Sequence, residues 1–111
     1  MELTESNHGD VVILSISAHI FGDTDSMYLK DKVKNLVSKA KHKVVFDMKN
    51  VKLINSVGIG ILMACWTSLA NVGGKLKMVN VSEKVNGLLE ITELDQFFET
   101  HDSLNETLES F

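Results

Sequence analysis

The sequence predicts an α/β domain built on a four- to five-stranded mixed sheet with helices packed over it, in the order ββαβαβαβα. Two observations carry this. Short apolar runs of strand length alternate with amphipathic stretches of helical spacing, as in Val44-Val45-Phe46-Asp47-Met48 followed by the long apolar segment Val57 to Asn71. The 111 residues contain no proline, no repeat and no linker-like stretch, so residues 1–111 read as one domain.

Taken in order, Leu3 to Ser6 and Val11 to Ser17 form a hairpin around a turn at Asn7-His8-Gly9-Asp10, and Val12, Leu14 and Ile16 share one side of the second strand. Gly22-Asp23-Thr24-Asp25 breaks the chain and offers N-cap candidates for a helix. That helix carries Leu29, Val33, Leu36, Val37 and Ala40 inside and its lysines outside. The run from Val44 to Met48 has the continuous apolar character of an inner strand. A loop, Lys49 to Ile54, leads to a helix from Val57 to Asn71 that stops at Gly73-Gly74. Leu76 to Val81 is a strand, and Ser82-Glu83 opens a helix with Val85, Leu88 and Leu89. Phe97-Phe98 is the candidate last strand, and Ser103 to Phe111 a closing helix with Leu104, Leu108 and Phe111. Right-handed crossovers between parallel strands are the natural way to join these elements.

Composition narrows the function classes. Hydrophobic residues make up 44% and charged residues 23%, an ordinary globular balance. The net charge is −4, the isoelectric point is near 5.5, and all 11 basic residues are lysines, which argues against a nucleic-acid partner. Six lysines fall between Lys30 and Lys43, whereas Glu83 to Glu109 holds eight acids against Lys84 alone; these read as two solvated faces of opposite sign. Cys65 is the only cysteine, which leaves no internal disulfide and no cysteine metal cluster. Met1 to Asp10 is polar and acidic rather than signal-like, so a cytoplasmic location is expected. His8, His19, His42 and His101 show no metal-ligand spacing, no nucleophile elbow or phosphate loop occurs, and neither enzyme activity nor a cofactor is expected.

The segment from Asp47 to Gly74 holds the functional signal. Asn55-Ser56-Val57-Gly58 opens a helix at the carboxyl end of a buried strand, where open α/β sheets place working residues. Ser56 stands at N-cap or N1: it is either a cap only, or an acceptor whose phosphate would meet unpaired amides and the positive helix end. No charged residue occurs from Leu53 to Gly74. At 100° per residue Ile59, Leu62, Met63, Cys65, Trp66, Leu69 and Ala70 form a core side, and Gly60, Ala64, Thr67, Ser68 and Asn71 a smooth, uncharged opposite side. That side suits either a close-packed partner or another part of the domain. Glycines and polar residues within the stretch argue against a membrane span.

Gly9-Asp10-Val11-Val12, Val44 to Val51, Ile54-Asn55-Ser56-Val57-Gly58-Ile59-Gly60, Gly73-Gly74-Lys75-Leu76, Val81 to Val85 and the stretch through Leu88-Leu89 to Leu94 resemble the STAS domain, and within it the bacterial anti-sigma factor antagonists. The resemblance covers nearly the whole chain. It implies a partner switch: Ser56 matches the serine phosphorylated by a serine-kinase anti-sigma factor, a serine phosphatase resets it, and the unphosphorylated form binds the kinase. Asn55, Val57, Gly58, Gly60 and Ala64 fall on the implied partner surface. Two departures stand out. Asn55 replaces the motif aspartate, and Ala18 to Asp23 lacks the usual glycine-acid-apolar-aspartate pattern, with Asp23 standing in only in a shifted alignment. A structural STAS subunit of a larger signalling or transport assembly, never phosphorylated, is the alternative expectation.

Overall fold

In the computed structural model, which describes residues 1–22 and 24–111 (side chains 1–22 and 26–111), the expected element order is realised around a five-stranded sheet of order β1-β2-β3-β4-β5. The strands are β1 (Glu2–His8), β2 (Val11–Phe21), β3 (Lys43–Ile54), β4 (Lys75–Val79) and β5 (Glu99–His101). The helices are α1 (Tyr28–Ser38), α2 (Ser56–Ala70), α3 (Glu83–Ile91) and α4 (Leu104–Glu109). β1 runs antiparallel to β2, and all later neighbours are parallel. Asp23, proposed from sequence for the partner surface, lies outside the described residues.

Period-two alternation divides the inner strands between two cores. Val12, Leu14, Ile16, Val44, Phe46, Met48, Leu76 and Met78 pack with buried residues of α1, α2 and α3, Leu29, Leu62 and Val85 among them. The other face carries Val11, Ile13, Val45 and Val79 under Leu104, Leu108 and Phe111. The unbroken run Val11-Val12-Ile13-Leu14 is therefore the mark of a strand covered on both sides.

Three expectations need correction. β3 does not end at Met48 but continues through the predicted loop to Ile54, pairing Asn50 with Ser17 and Ile54 with Phe21. A register shift between Ser15 and Ser17 puts Met48 and Lys49 opposite Ile16 alone, and this bulge breaks the alternation from which a strand is read. The last strand falls on Glu99–His101 instead of Phe97-Phe98: a 3₁₀ turn at Leu94–Gln96 leaves Phe98 buried and Phe97 exposed before pairing with Lys77–Val79 starts. α1 has no side-chain cap, because a 3₁₀ turn over Thr24–Met27 precedes it.

The covering helix α4 is fastened by one amino group. Lys77, 5% exposed, donates from Nζ to the Ser110 carbonyl (2.9 Å) and to Ser110 Oγ (2.7 Å), and pairs with Glu99 at 2.7 Å. Its ammonium also stands 4.5 Å from the centre of the Phe111 ring. The Lys77 hydrogen bond, with the His101 ring adding to it, holds the Glu99 carboxyl at about 2, below the ordinary 4.5. A depressed folded-state value stabilises above pH 4.5 and is lost as pH falls from there towards 2. Urea midpoints taken through this window should fall more steeply for the wild type than for Glu99→Gln.

Ala40, expected on the inner side of the helix α1, is instead exposed beyond its end with φ 60°, Ala40 N donating to the Val37 carbonyl (3.0 Å) and Lys41 N to the Leu36 carbonyl (2.9 Å). These bonds make a Schellman motif with alanine at the position that favours glycine. Ala40→Gly is expected to raise stability by about 1 kcal/mol, measured by chemical denaturation.

Candidate functional site

The candidate site forms where β2 and β3 end side by side and α2 begins. Phe21 pairs with Ile54 as the last rung of the two strands, and the Asn55 N–H donates to the Phe21 carbonyl at 3.2 Å. Asn55 then turns the chain with φ −110° and ψ −177°, and its Oδ1 accepts from Gly58 N at 3.0 Å. It is the N-cap of α2, and Ser56 is the first helical residue. Of the two positions open to Ser56 in the sequence, the structure takes N1. Asparagine keeps the capping oxygen that the motif aspartate would supply.

Two glycines make this junction possible. Gly22 has φ +134°, and a methyl group there would lie 1.7 Å from Asn55 Oδ1 and 2.6 Å from Gly58 N. A methyl on Gly58 would lie 2.2 Å from the Phe21 carbonyl oxygen. Gly22 N also donates to the hydroxyl of Ser26, which is fully buried. The end of β2 thus lies directly on the start of α2.

Asn55, Ser56, Val57 and Gly60 are exposed, whereas Gly58 is buried beneath Phe21. The Ser56 hydroxyl makes no hydrogen bond among the described residues, since Asn55 performs the capping. Its own amide and that of Val57, at the first two helical positions, have no intrahelical acceptor. Four large apolar side chains are exposed near this end of the fold: Ile20, Met27, Tyr28 and Val57. They come from the end of β2, the 3₁₀ turn and the first turns of α1 and α2, a grouping that no single stretch of sequence announces.

Along α2 the buried residues are Gly58, Ile61, Leu62, Cys65 and Leu69. The core side is therefore rotated from the expected one: Ile61 belongs to it, Ala70 is exposed, and Ile59, Met63 and Trp66 are only partly buried. Trp66 meets Phe97 edge-on, with ring centres 5.2 Å apart. Gly60, Thr67 and Asn71 face outward, while Ala64 and Ser68 are half-buried at the margin. Burial pushes the Cys65 thiol up to about 12, which leaves it protonated and unreactive at neutral pH. Among the described residues no three histidine, cysteine or acidic side chains could hold a metal, and no helix is long and apolar enough to cross a membrane.

A family model for the STAS domain matches residues 3–107. The chain belongs to the STAS domain family. Among its relatives is a candidate anti-sigma factor antagonist of Thermotoga neapolitana, 28% identical over 100 residues, which are 90% of this chain and 88% of the relative. The crystal structure of a candidate anti-sigma factor antagonist from Thermotoga maritima superposes with a TM-score of 0.85 at 25% identity, covering 97% of this chain and 92% of the other. The Bacillus cell fate determinant SpoIIAA in its phosphorylated form shares the fold, with a TM-score of 0.76 at 12% identity and 98% of each chain covered.

Within this STAS domain the two glycines of Gly58-Ile59-Gly60 do different work. Gly58 admits the β2 carbonyl, whereas a methyl on Gly60 would meet nothing within 4 Å. Gly58→Ala should therefore cost about 1–3 kcal/mol through a clash with backbone that cannot step aside. Gly60→Ala should be neutral or stabilising by up to about 1 kcal/mol, because it removes backbone freedom from a helix interior. Denaturation midpoints of the two variants make the comparison, and equal losses would refute it.

Proposed function

We propose that this STAS domain is an anti-sigma factor antagonist: a protein-binding module, not an enzyme, whose docking surface is gated by phosphorylation of Ser56. The observation that carries the proposal is the placement of Ser56. It is exposed, relieved of capping by Asn55, and set at the first position of a helix without a single charge, beside exposed Val57 and Gly60. The names borne by its relatives support the same role, and the partner of such an antagonist is a serine-kinase anti-sigma factor. The kinase transfers the γ-phosphoryl group of ATP to Ser56 Oγ, releasing ADP and the hydroxyl proton, and a serine phosphatase hydrolyses the ester.

Asn55, Val57, Gly60 and Ala64 supply the contact, and Gly58 acts beneath it by letting the β2 end lie flat. A partner backbone approaching Gly60 meets no side chain, and the uncharged α2 face has no ion to desolvate. Phosphate on Ser56 adds about −1.5 to −2 charges and a tightly held water shell. At the amino end of α2 that charge is favourable to the protein itself by about 0.3–1 kcal/mol, so the effect falls on docking rather than on folding. The competing reading, a structural subunit that is never phosphorylated, draws on Asn55, which keeps the cap but not the motif's carboxylate.

Incubation with the cognate kinase and ATP, followed by mass-spectrometric mapping, should place one phosphate on Ser56. Ser56→Asp should weaken kinase binding by at least about tenfold, or 1.4 kcal/mol. Ser56→Ala should bind constitutively, with stability within about 0.5 kcal/mol of wild type because Asn55 remains the cap. Asn55→Ala, by contrast, should lose about 1 kcal/mol. An unmodified Ser56 together with undiminished binding by Ser56→Asp would hand the case to the structural-subunit reading.

A further inference from the structure

At the opposite end of the sheet from Ser56, the amino ends of β3 and β4 carry a concentration of positive charge with no part in the switch. Lys43 and Lys75 are the first residues of parallel neighbours and stand directly opposite each other in register. Lys77 follows two residues on, and alternation sends all three side chains to the face that α4 covers. Like charges opposed on adjacent strands repel, so this pairing carries a cost within the domain. The three lysines, with His42, Gly73, Gly74, Glu99, Ser110 and Phe111, line a cavity of about 370 Å³, within the range of small-molecule sites.

The charges in this cavity are unequally satisfied. Lys77 has placed its three protons on the Ser110 carbonyl, Ser110 Oγ and Glu99, which fixes the wall and the Phe111 ring. Lys43 spends one proton on Asp10 at 2.7 Å. Lys75 has neither an ion pair nor a side-chain hydrogen bond among the described residues, and it is exposed. The carboxyl ends of α1 and α2 account for nearby cations such as Lys39 and Lys41. They do not account for Lys75, which points to the other face of the sheet. With Lys43 matched by Asp10 and Lys77 by Glu99, Lys75 is the unmatched positive charge of the cavity, in a protein whose net charge is −4. Gly73 and Gly74 contribute bare backbone to one wall, and the Phe111 ring an apolar one.

We propose that this cavity binds a small organic anion, a carboxylate or phosphate monoester carrying an apolar ring. Lys75 and Lys43 hold the anionic head, and Phe111 with the Gly73-Gly74 backbone flanks the ring. The site is distinct from the Ser56 surface and does not depend on its reading. Amide NMR titrations with benzoate and with phenyl phosphate test it, with benzyl alcohol as the uncharged control. Both the geometry and the charge predict saturable shifts at Gly73, Gly74, Lys75 and Phe111 for at least one anion, with Ser56 to Gly60 unmoved. The tighter of the two anions identifies the head group. Lys75→Glu should weaken binding by at least about tenfold, and Lys75→Gln by less, while both keep the wild-type spectrum elsewhere because the side chain is exposed. Three results would each overturn the proposal: no saturable shift for either anion at millimolar concentration, equal binding of benzyl alcohol, or undiminished binding by Lys75→Glu.

Discussion

The contact on which the candidate site of this domain depends is the seating of the β2 terminus on the first turn of α2. Phe21 and Gly22 lie so close to Asn55 and Gly58 that no methyl group fits between them, and the two elements share one short network: Asn55 N to the Phe21 carbonyl, Gly58 N to Asn55 Oδ1, Gly22 N to Ser26 Oγ. Remove the space, and the loop rises off the helix. Remove the cap, and an amide beneath the loop loses its acceptor, at a cost of about 1–3 kcal/mol if it stays buried. The glycines and the asparagine thus hold a flat surface in place, and Ser56 and Val57 are what that surface presents.

A second fastening secures the other face of the sheet. Helix α4 is only six residues long, too short to persist alone, and its apolar residues cover a small patch of Val11, Ile13, Val45 and Val79. Lys77 supplies what the patch lacks. A buried ammonium is costly unless its protons are matched, and here Ser110 and Glu99 match all three. Glu99 comes from β5, itself only three residues long and paired only with β4. One side chain therefore ties two marginal elements to the centre of the sheet.

Much of this was legible in the sequence because the elements with strong periodicity are those that pack. The alternation in β2, the apolar run of β3, the heptad-like spacing in α1 and the Leu104, Leu108, Phe111 triplet each predicted a buried face that the structure contains. What failed to show was set by neighbours rather than by local pattern. The bulge at Met48-Lys49 dephases β3, so its outer half, Lys49–Ile54, reads as loop although β2 pairs with it. Glu99–His101 has no apolar signature, since its pairing with β4 and the Lys77 ion pair define it. At the site, Ser56 and its flanking glycines were visible as a motif, but the division of labour was not. That Asn55 caps and Ser56 is free, or that Gly58 is buried while Gly60 is open, follows from where Phe21 and Gly22 arrive. Gly22 itself was readable only as a chain break.

That Ser56 stands at N1 rather than at the cap has a consequence for any switch built on it. A phosphorylated cap would have to surrender its hydrogen bond to Gly58 N, and modification would then tug on the contact with β2. With Asn55 holding that bond, the Ser56 oxygen can gain a phosphate while the network beneath it stays intact. The helix end favours the new charge modestly, whereas an uncharged partner face closing over it would have to strip a dianion of its water, and the second term dominates. On the proposed reading, therefore, the free energy of the switch is expressed at the interface. In that reading the domain serves as a platform whose fold would be the same with and without the phosphate.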